Sequence, residues 1–211
     1  MKVNILVDNP GSWIVPYARD FQGRLERDGH AVTYSERAED VPEGDVALFL
    51  SCEKIVPADI RCRNKHNLVV HESDLPRGKG WSPLTWQILQ GKNKITVTLF
   101  EAADKVDAGD IHATRTIEFD GTELVDELRA KQWDATEALI SGFLKDPDMK
   151  PRPQSGEEGF YERRSAKDSE LGTSKTLAEL FDVLRVVDNE RYPAFFTHKG
   201  RSYILKIYPK E

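Results

Sequence analysis

The 211 residues carry 30 Lys and Arg against 36 Asp and Glu, for a formal net charge of −6, with 39% apolar and 9% aromatic residues. That suffices for the core of one domain with a small appendage. The negative balance argues against a nucleic-acid partner, and no apolar run approaches the roughly 20 residues needed to cross a bilayer, which argues against a membrane partner. The N-terminus, MKVNILVDNP, has one Lys and a short apolar run. It lacks the h-region and cleavage site of a secretory signal, so a cytoplasmic protein is expected. Cys52 and Cys62, nine residues intervening, match neither a C-x-x-C redox pair nor a zinc spacing. With His66 as the one imidazole nearby they make a poor metal site, so free thiols and no metal are expected.

In chain order, residues 2–8 predict a strand with both faces buried. Asn9-Pro10-Gly11 predicts a turn, and Ser12 is placed to cap a helix over 13–28 whose apolar face is Ile14, Tyr17, Phe21 and Leu25, with Gly29 ending it. Further strands are predicted at 31–34, 45–50 and 67–71, with a short helix at 57–64 between the last two. The β-α-β-(α)-β order argues for a parallel sheet with crossover helices. The β-branched run KITVTLFE predicts a strand at 94–101 and Ile111–Phe119 another, around the polar loop AADKVDAGD. Thr122 is placed to cap a long helix to about residue 144 with Leu124, Leu128, Ala135, Leu139 and Phe143 as its buried stripe. Residues 145–159 hold three prolines and much charge and read as a surface linker. Beyond it, 160–164 predict a short strand, and Leu177, Leu180, Leu184 and Val187 mark a helix. The segments 192–197 and 202–208 predict a hairpin turning at Lys199-Gly200. The division expected is a catalytic domain over 1–144, the linker, and a small α+β C-terminal subdomain over 160–211.

The stretch NLVVHESDLPRGKGWSPLTWQILQG, residues 67–91, is where chemistry is expected. An apolar strand delivers His71 to a loop rich in Pro, Gly and charge, which enters a helix at Ser82-Pro83. Asp107 follows the strand 94–101 in the same way, and residues just past strand ends of a parallel sheet meet in one crevice. A carboxylate beside an imidazole orients the ring and favours its charged form, an arrangement suited to proton transfer. Glu72 alternates to the other face of the strand and is discounted as a partner. His112 reads as packed, His66 shows no partner pattern, and Trp86 reads as core. The turn at Asn9, Ser12 and Trp13 opens a helix whose N-terminus suits an anion. Arg77 and Lys79 are basic loop residues suited to carboxylate or phosphate, and Trp81 is suited to walling a pocket.

These residues resemble a family. HESDLP followed by RGKGWSP is similar to the H-x-S-L-L-P loop of folate-dependent formyltransferases, and TVTLFEAADKVDAGDI to their second signature, a strand followed by Asp-x-Gly-x-Ile. The segments ERRSAKDSEL and LRVVDNERYPAFF resemble the C-terminal part of amino-sugar N-formyltransferases. The resemblance implies a Rossmann-like α/β fold, mostly parallel and flanked by helices. It implies formyl transfer from N10-formyltetrahydrofolate to the amine of a nucleotide-linked amino sugar in surface glycan biosynthesis. His71 would shuttle the proton or stabilise the oxyanion, and Asp107 would position it. The folate would lie between the loops 74–80 and 102–109, meeting Leu75, Pro76, Arg77, Gly78, Ala103 and Asp104. The sugar nucleotide would meet Asn9, Ser12, Trp13, Lys79 and Trp81.

One position departs from the family, which has Asn two residues before the histidine where this chain has Val69. Asn67 lies roughly 13 Å back along an extended strand at about 3.3 Å per residue, too far to substitute. Ser73, Asn93 or a backbone amide are left to supply the donor. The alternatives are a glycinamide ribonucleotide-type transferase, a hydrolase that releases formate, or a non-catalytic folate- or nucleotide-binding module. Methionyl-tRNA is disfavoured as acceptor by the short, acidic chain. The C-terminal hairpin offers an edge for a homodimer.

Overall fold

A computed structural model of the chain describes residues 1–210. Strands β1 (Lys2–Leu6), β2 (Ala31–Ser35), β3 (Gly44–Phe49), β4 (Asn64–His71), β6 (Lys94–Glu101) and β7 (Ile111–Glu118) form one sheet in the order β2-β1-β3-β4-β6-β7. The helices are α1 (Val15–Arg27), α2 (Ala58–Arg61), α3 (Pro83–Leu89), α4 (Val125–Lys145) and α5 (Leu177–Val186). The two-residue strands β5 (Lys79–Gly80) and β8 (Phe160–Tyr161) pair in parallel, and β9 (Ala194–His198) with β10 (Arg201–Leu205) form the expected hairpin. Its turn residues Lys199 and Gly200 both have positive φ, as a two-residue turn matching strand twist requires.

Alternation explains the layers. Val46, Leu48 and Leu50 face one side, with Val3, Ile5, Leu68, Val97 and Leu99, and bury the apolar stripes of α1, α3 and α4. Ala47 and Phe49 face the other side, with Leu6, Val56 and Ile60, under α2. A strand covered on both sides reads as a continuous apolar run, which VALFL is. Among the described residues, no helix is long and apolar enough to cross a membrane.

Two expectations fail here, for physical reasons. The sheet is parallel only through β4. Strand β6 runs antiparallel to β4, with Leu68 opposite Glu101 and His71 opposite Thr98. The exit of β6 therefore lies back beside Leu68, and the parallel-crevice argument for Asp107 does not hold. Nor do Ser12 and Thr122 cap helices. Ile14 occupies the N-cap of α1, and the Ser12 hydroxyl meets that of Ser51 at 3.3 Å. Asp120 accepts both the amide and the hydroxyl of Thr122, which holds that residue in a turn. The start of α4 is delayed to Val125, where the Leu124 amide donates to the Glu127 carboxylate.

The C-terminal segment builds a small apolar cluster from Leu171, Leu180, Leu184, Val187 and Ala194. A fully buried cation ties it to the main sheet. Arg185 donates to Glu123 at 3.1 Å and to Asn93 at 2.9 Å. Residues 145–159 are no free linker. Arg152 bridges to Ile111, and Gln154 and Glu158 bond back onto the loops of the main domain.

Burial alone would raise the Glu123 carboxyl, but hydrogen bonds from Lys131 and from the Asp120 and Gly121 amides outweigh it and hold it at about 2, against an ordinary 4.5. A depressed folded value means stability that is present above pH 4.5 and is lost as pH falls toward 2. Urea midpoints taken across that window should fall more steeply for the wild type than for Glu123→Gln. Arg185→Ala, which leaves a buried carboxylate without its guanidinium, should cost about 3–5 kcal/mol in the same experiment at neutral pH.

Candidate active site

A cavity of about 500 Å³ opens where β4 ends, between α3, α4, the loops after β1, β3 and β6, and the C-terminal segment. Its size falls within the usual range for small-molecule sites. His71 stands on its wall. Its Nε2 is 2.8 Å from the Gly78 carbonyl, and because a carbonyl only accepts, Nε2 carries the proton. Nδ1 is left without a partner among the described residues. Asp107 Oδ2 lies 3.6 Å from the same Nε2 and accepts the Gly80 amide at 2.8 Å. The loop 74–80 thus grips the imidazole through one carbonyl and the carboxylate through one amide.

Asp107 arrives by an indirect route. The loop 102–110 leaves β6 at its far end, runs back over the sheet, and returns onto Glu101. Gly109 makes this return possible, since a Cβ there would lie inside the Glu101 carbonyl. Gln154 holds the doubled loop by donating to the Asp107 and Gly109 carbonyls, both at 2.8 Å. Asp107 itself is left-handed, φ 48°, as are Ser51 and Ser82. Three of the four non-glycine residues with positive φ among the described residues therefore line this one cavity. Such conformations cost of order 1–3 kcal/mol each and concentrate at functional sites.

Glu72 also lines the cavity, against expectation. Strand alternation has ended at His71, so the next side chain turns toward α4, where Gln132 donates to its carboxylate at 2.7 Å. Burial raises the Glu72 carboxyl above the usual range, with His71 and the Gln132 bond pulling it partly back. A buried carboxyl beside an imidazole is a candidate for proton transfer.

The remaining wall is cationic. Arg129 pairs with Asp188 at 2.8 Å, and Arg163 pairs with Glu53 at 3.2 Å and lies over Trp81. Arg164 and Arg191 line the cavity without a carboxylate partner among the described residues, and the Arg164 Nε is buried with no partner. Burial lowers the Arg164 guanidinium from its ordinary value, with the nearby Asp168 charge pulling it partly back.

Of the residues expected at the site, the fold brings His71, Asp107, Ala103, Asn9, Ser12, Trp13 and Trp81 onto the cavity. It places others elsewhere. Leu75 packs with Phe100 and Ile111, Pro76 and Arg77 are not part of the cavity lining, and Gly78 contributes its carbonyl alone. Asp104 is exposed and paired with Arg61. Lys79 is 2% exposed, its ammonium 2.6 Å from Glu158. Strand β5 turns that side chain away from the cavity into a structural ion pair. Trp86 is not core but half-exposed, stacked on Tyr161.

None of Asn67, Ser73 and Asn93 reaches the cavity in place of the absent asparagine. Val69 lines the cavity as an apolar residue. Asn67 bonds to the Arg61 and Asn64 carbonyls, Asn93 to Arg185, and the buried Ser73 hydroxyl is outside the lining. Gln132, Arg129, Arg164 and Arg191 carry no role in the reading of the sequence, and Glu72 is discounted there. Arg164 and Arg191 sit within the two C-terminal motifs that carried the resemblance, and that was the signal available.

Residues 21–143 match the formyl transferase family. Among solved structures, a methionyl-tRNA formyltransferase from Clostridium thermocellum is 24% identical with a TM-score of 0.81, over 100% of this chain and 94% of that one. A sugar N-formyltransferase from a Shewanella species is 15% identical with a TM-score of 0.72, over 100% and 98%. HypX from Aquifex aeolicus, in complex with tetrahydrofolic acid, is 17% identical with a TM-score of 0.75, over 100% of this chain and 38% of that one. At these identities the likeness is one of fold.

Gly109→Ala tests the geometry directly. It forces the loop 102–110 off Glu101 and should lower stability by about 1–3 kcal/mol, as overpacking does, measured as a shift in the urea midpoint. An unchanged midpoint would mean that the doubled loop is not held as described.

Proposed function

This chain belongs to the formyl transferase family, and from that premise we propose that it transfers a formyl group from N10-formyltetrahydrofolate to the amine of a nucleotide-linked amino sugar. One observation carries the choice of acceptor: a single cavity joins the His71–Asp107 pair to a wall holding two guanidinium groups, Arg164 and Arg191, that lack carboxylate partners. A sugar nucleotide has an amine at one end and a diphosphate at the other, and arginine suits phosphate by its planar fork. The net charge of −6 weighs against a tRNA acceptor.

The fit to a folate rests on the other wall. Val69, Phe100, Ala102 and Val106 give an apolar lining beside the loop 102–110. That combination of apolar walls with a few placed polar groups suits a flat heterocycle. The bound folate supplies the formyl carbon. The protein's own groups do the rest. With its Nε2 proton held by Gly78, His71 presents the Nδ1 lone pair to accept a proton from the attacking amine. Asp107, 3.6 Å away, stabilises the imidazolium so formed. The His71 imidazolium then gives that proton to the folate nitrogen as its bond to the formyl carbon breaks, which leaves tetrahydrofolate and the formylated amine. The second carboxyl oxygen of Glu72, which has no partner among the described residues, accepts a hydrogen bond from the acceptor amine at the same wall.

The experiment is a panel. Purified protein is mixed with 10-formyltetrahydrofolate and with nucleotide-linked amino sugars, glycinamide ribonucleotide or methionyl-tRNA, and tetrahydrofolate release is followed. Release with an amino sugar alone supports the proposal; release with no acceptor at all means a hydrolase. His71→Ala and Asp107→Ala should each reduce turnover about 10²–10⁴-fold while folate binding, measured by calorimetry, persists. Near-full turnover in either variant would remove the pair from the mechanism.

A further inference from the structure

A second cluster of titratable groups lies outside the cavity, on the α4 side of the sheet. His66 on β4, Glu101 at the end of β6 and His112 on β7 are neighbours across three adjacent strands. Glu101 Oε1 is 2.8 Å from His66 Nδ1 and 3.0 Å from His112 Nε2. The three atoms lie within 4.8 Å of one another, and none of the three residues lines the cavity. We propose that they form a binding site for a divalent transition-metal ion, zinc in the first instance.

The spacing suits it. Tetrahedral zinc held at 2.0–2.1 Å sets its ligand atoms about 3.3 Å apart; the two carboxylate-to-ring distances, 2.8 and 3.0 Å, open by a few tenths of an ångström to reach it, and the two ring nitrogens already lie within 4.8 Å of each other. Two imidazoles and one carboxylate are a common zinc donor set, with the fourth position left to water. The carboxylate is oriented, because its other oxygen accepts the Asn67 amide at 2.8 Å. It is also uncompensated, since no Lys or Arg bonds to it among the described residues. Phe143 meets both rings edge to face, at 5.1 and 4.8 Å, and closes the site from the α4 side. The side chains of Glu101, 25% exposed, and His66, 18%, leave an entry from solvent.

Tautomers follow. Without a metal, both rings donate to Glu101, and their far nitrogens, His66 Nε2 and His112 Nδ1, are buried with no partner. Binding an ion moves each proton to the far nitrogen and frees the near lone pair as ligand. Because no outer acceptor supports those far N–H groups, affinity should be about 10–100-fold below that of a fully supported site. Glu101 and His112 stand at the two ends of the loop that carries Asp107, so a bound ion would staple the base of that loop without entering the cavity.

The test uses the 211-residue chain, free of any affinity tag and stripped with chelator. Co²⁺ is titrated in and its visible absorption recorded, with equilibrium dialysis giving stoichiometry. The expectation is one Co²⁺ per chain, displaced by Zn²⁺, and a Zn²⁺-dependent rise in the thermal unfolding midpoint. His112→Phe and Glu101→Gln should each weaken binding at least tenfold, and His30→Ala should not change it. Circular dichroism of each variant separates loss of the site from loss of the fold. Absence of stoichiometric binding, or folded variants that bind as the wild type does, would overturn the proposal. This outcome is independent of the acceptor assay.

Discussion

The structure depends on a loop that must turn back on its own strand. Strand β6 runs opposite to β4, so its C-terminal end points away from His71. Asp107 reaches the imidazole only because residues 102–110 double over the sheet and land on the Glu101 carbonyl, where nothing larger than a hydrogen fits at Gly109. Gly109 makes the landing, Gln154 holds the Asp107 and Gly109 carbonyls, and the Gly80 amide fixes the carboxylate. The His71–Asp107 geometry is set by backbone contacts, which are less easily lost to a single side-chain change than a chain of polar side chains would be.

The cavity has two authors within the chain. The sheet supplies His71, Asp107, Glu72 and an apolar wall. The C-terminal segment supplies cations. Its attachment is polar and buried: Arg185 with Glu123 and Asn93, Lys79 with Glu158, and the short pairing of β5 with β8. Polar anchors of this kind fix one orientation, because an alternative docking would strand a buried charge. A purely apolar contact would permit sliding, and sliding would move Arg164 and Arg191 relative to His71.

Much of the fold was legible because its signals are local. VALFL and KITVTLFE announce themselves by burial and β-branching, and Lys199-Gly200 by the turn that two positive φ values allow. Pairing direction is not written in alternation, so the reversal at β6 was invisible, although His71 and Asp107 were both singled out. Caps were misassigned at Ser12 and Thr122 because nearer partners, Ser51 and Asp120, took their hydroxyls. Glu72 was discounted by extending strand alternation one residue past the strand. Lys79 was read as a free cation because its partner lies 79 residues away. His66 gave no sign of Glu101 for the same reason: contact across strands is a tertiary fact.

The pairing of β5 with β8 sets an order of events. A chain synthesised from its N-terminus has completed β4, β6 and β7, and with them His71 and Asp107, before Phe160 exists. At that moment the sheet is whole, yet Gly80 lacks its neighbour strand and the cationic wall is missing. The pocket is therefore completed only when the C-terminal segment arrives, and a chain ending before Phe160 would lack its cationic wall.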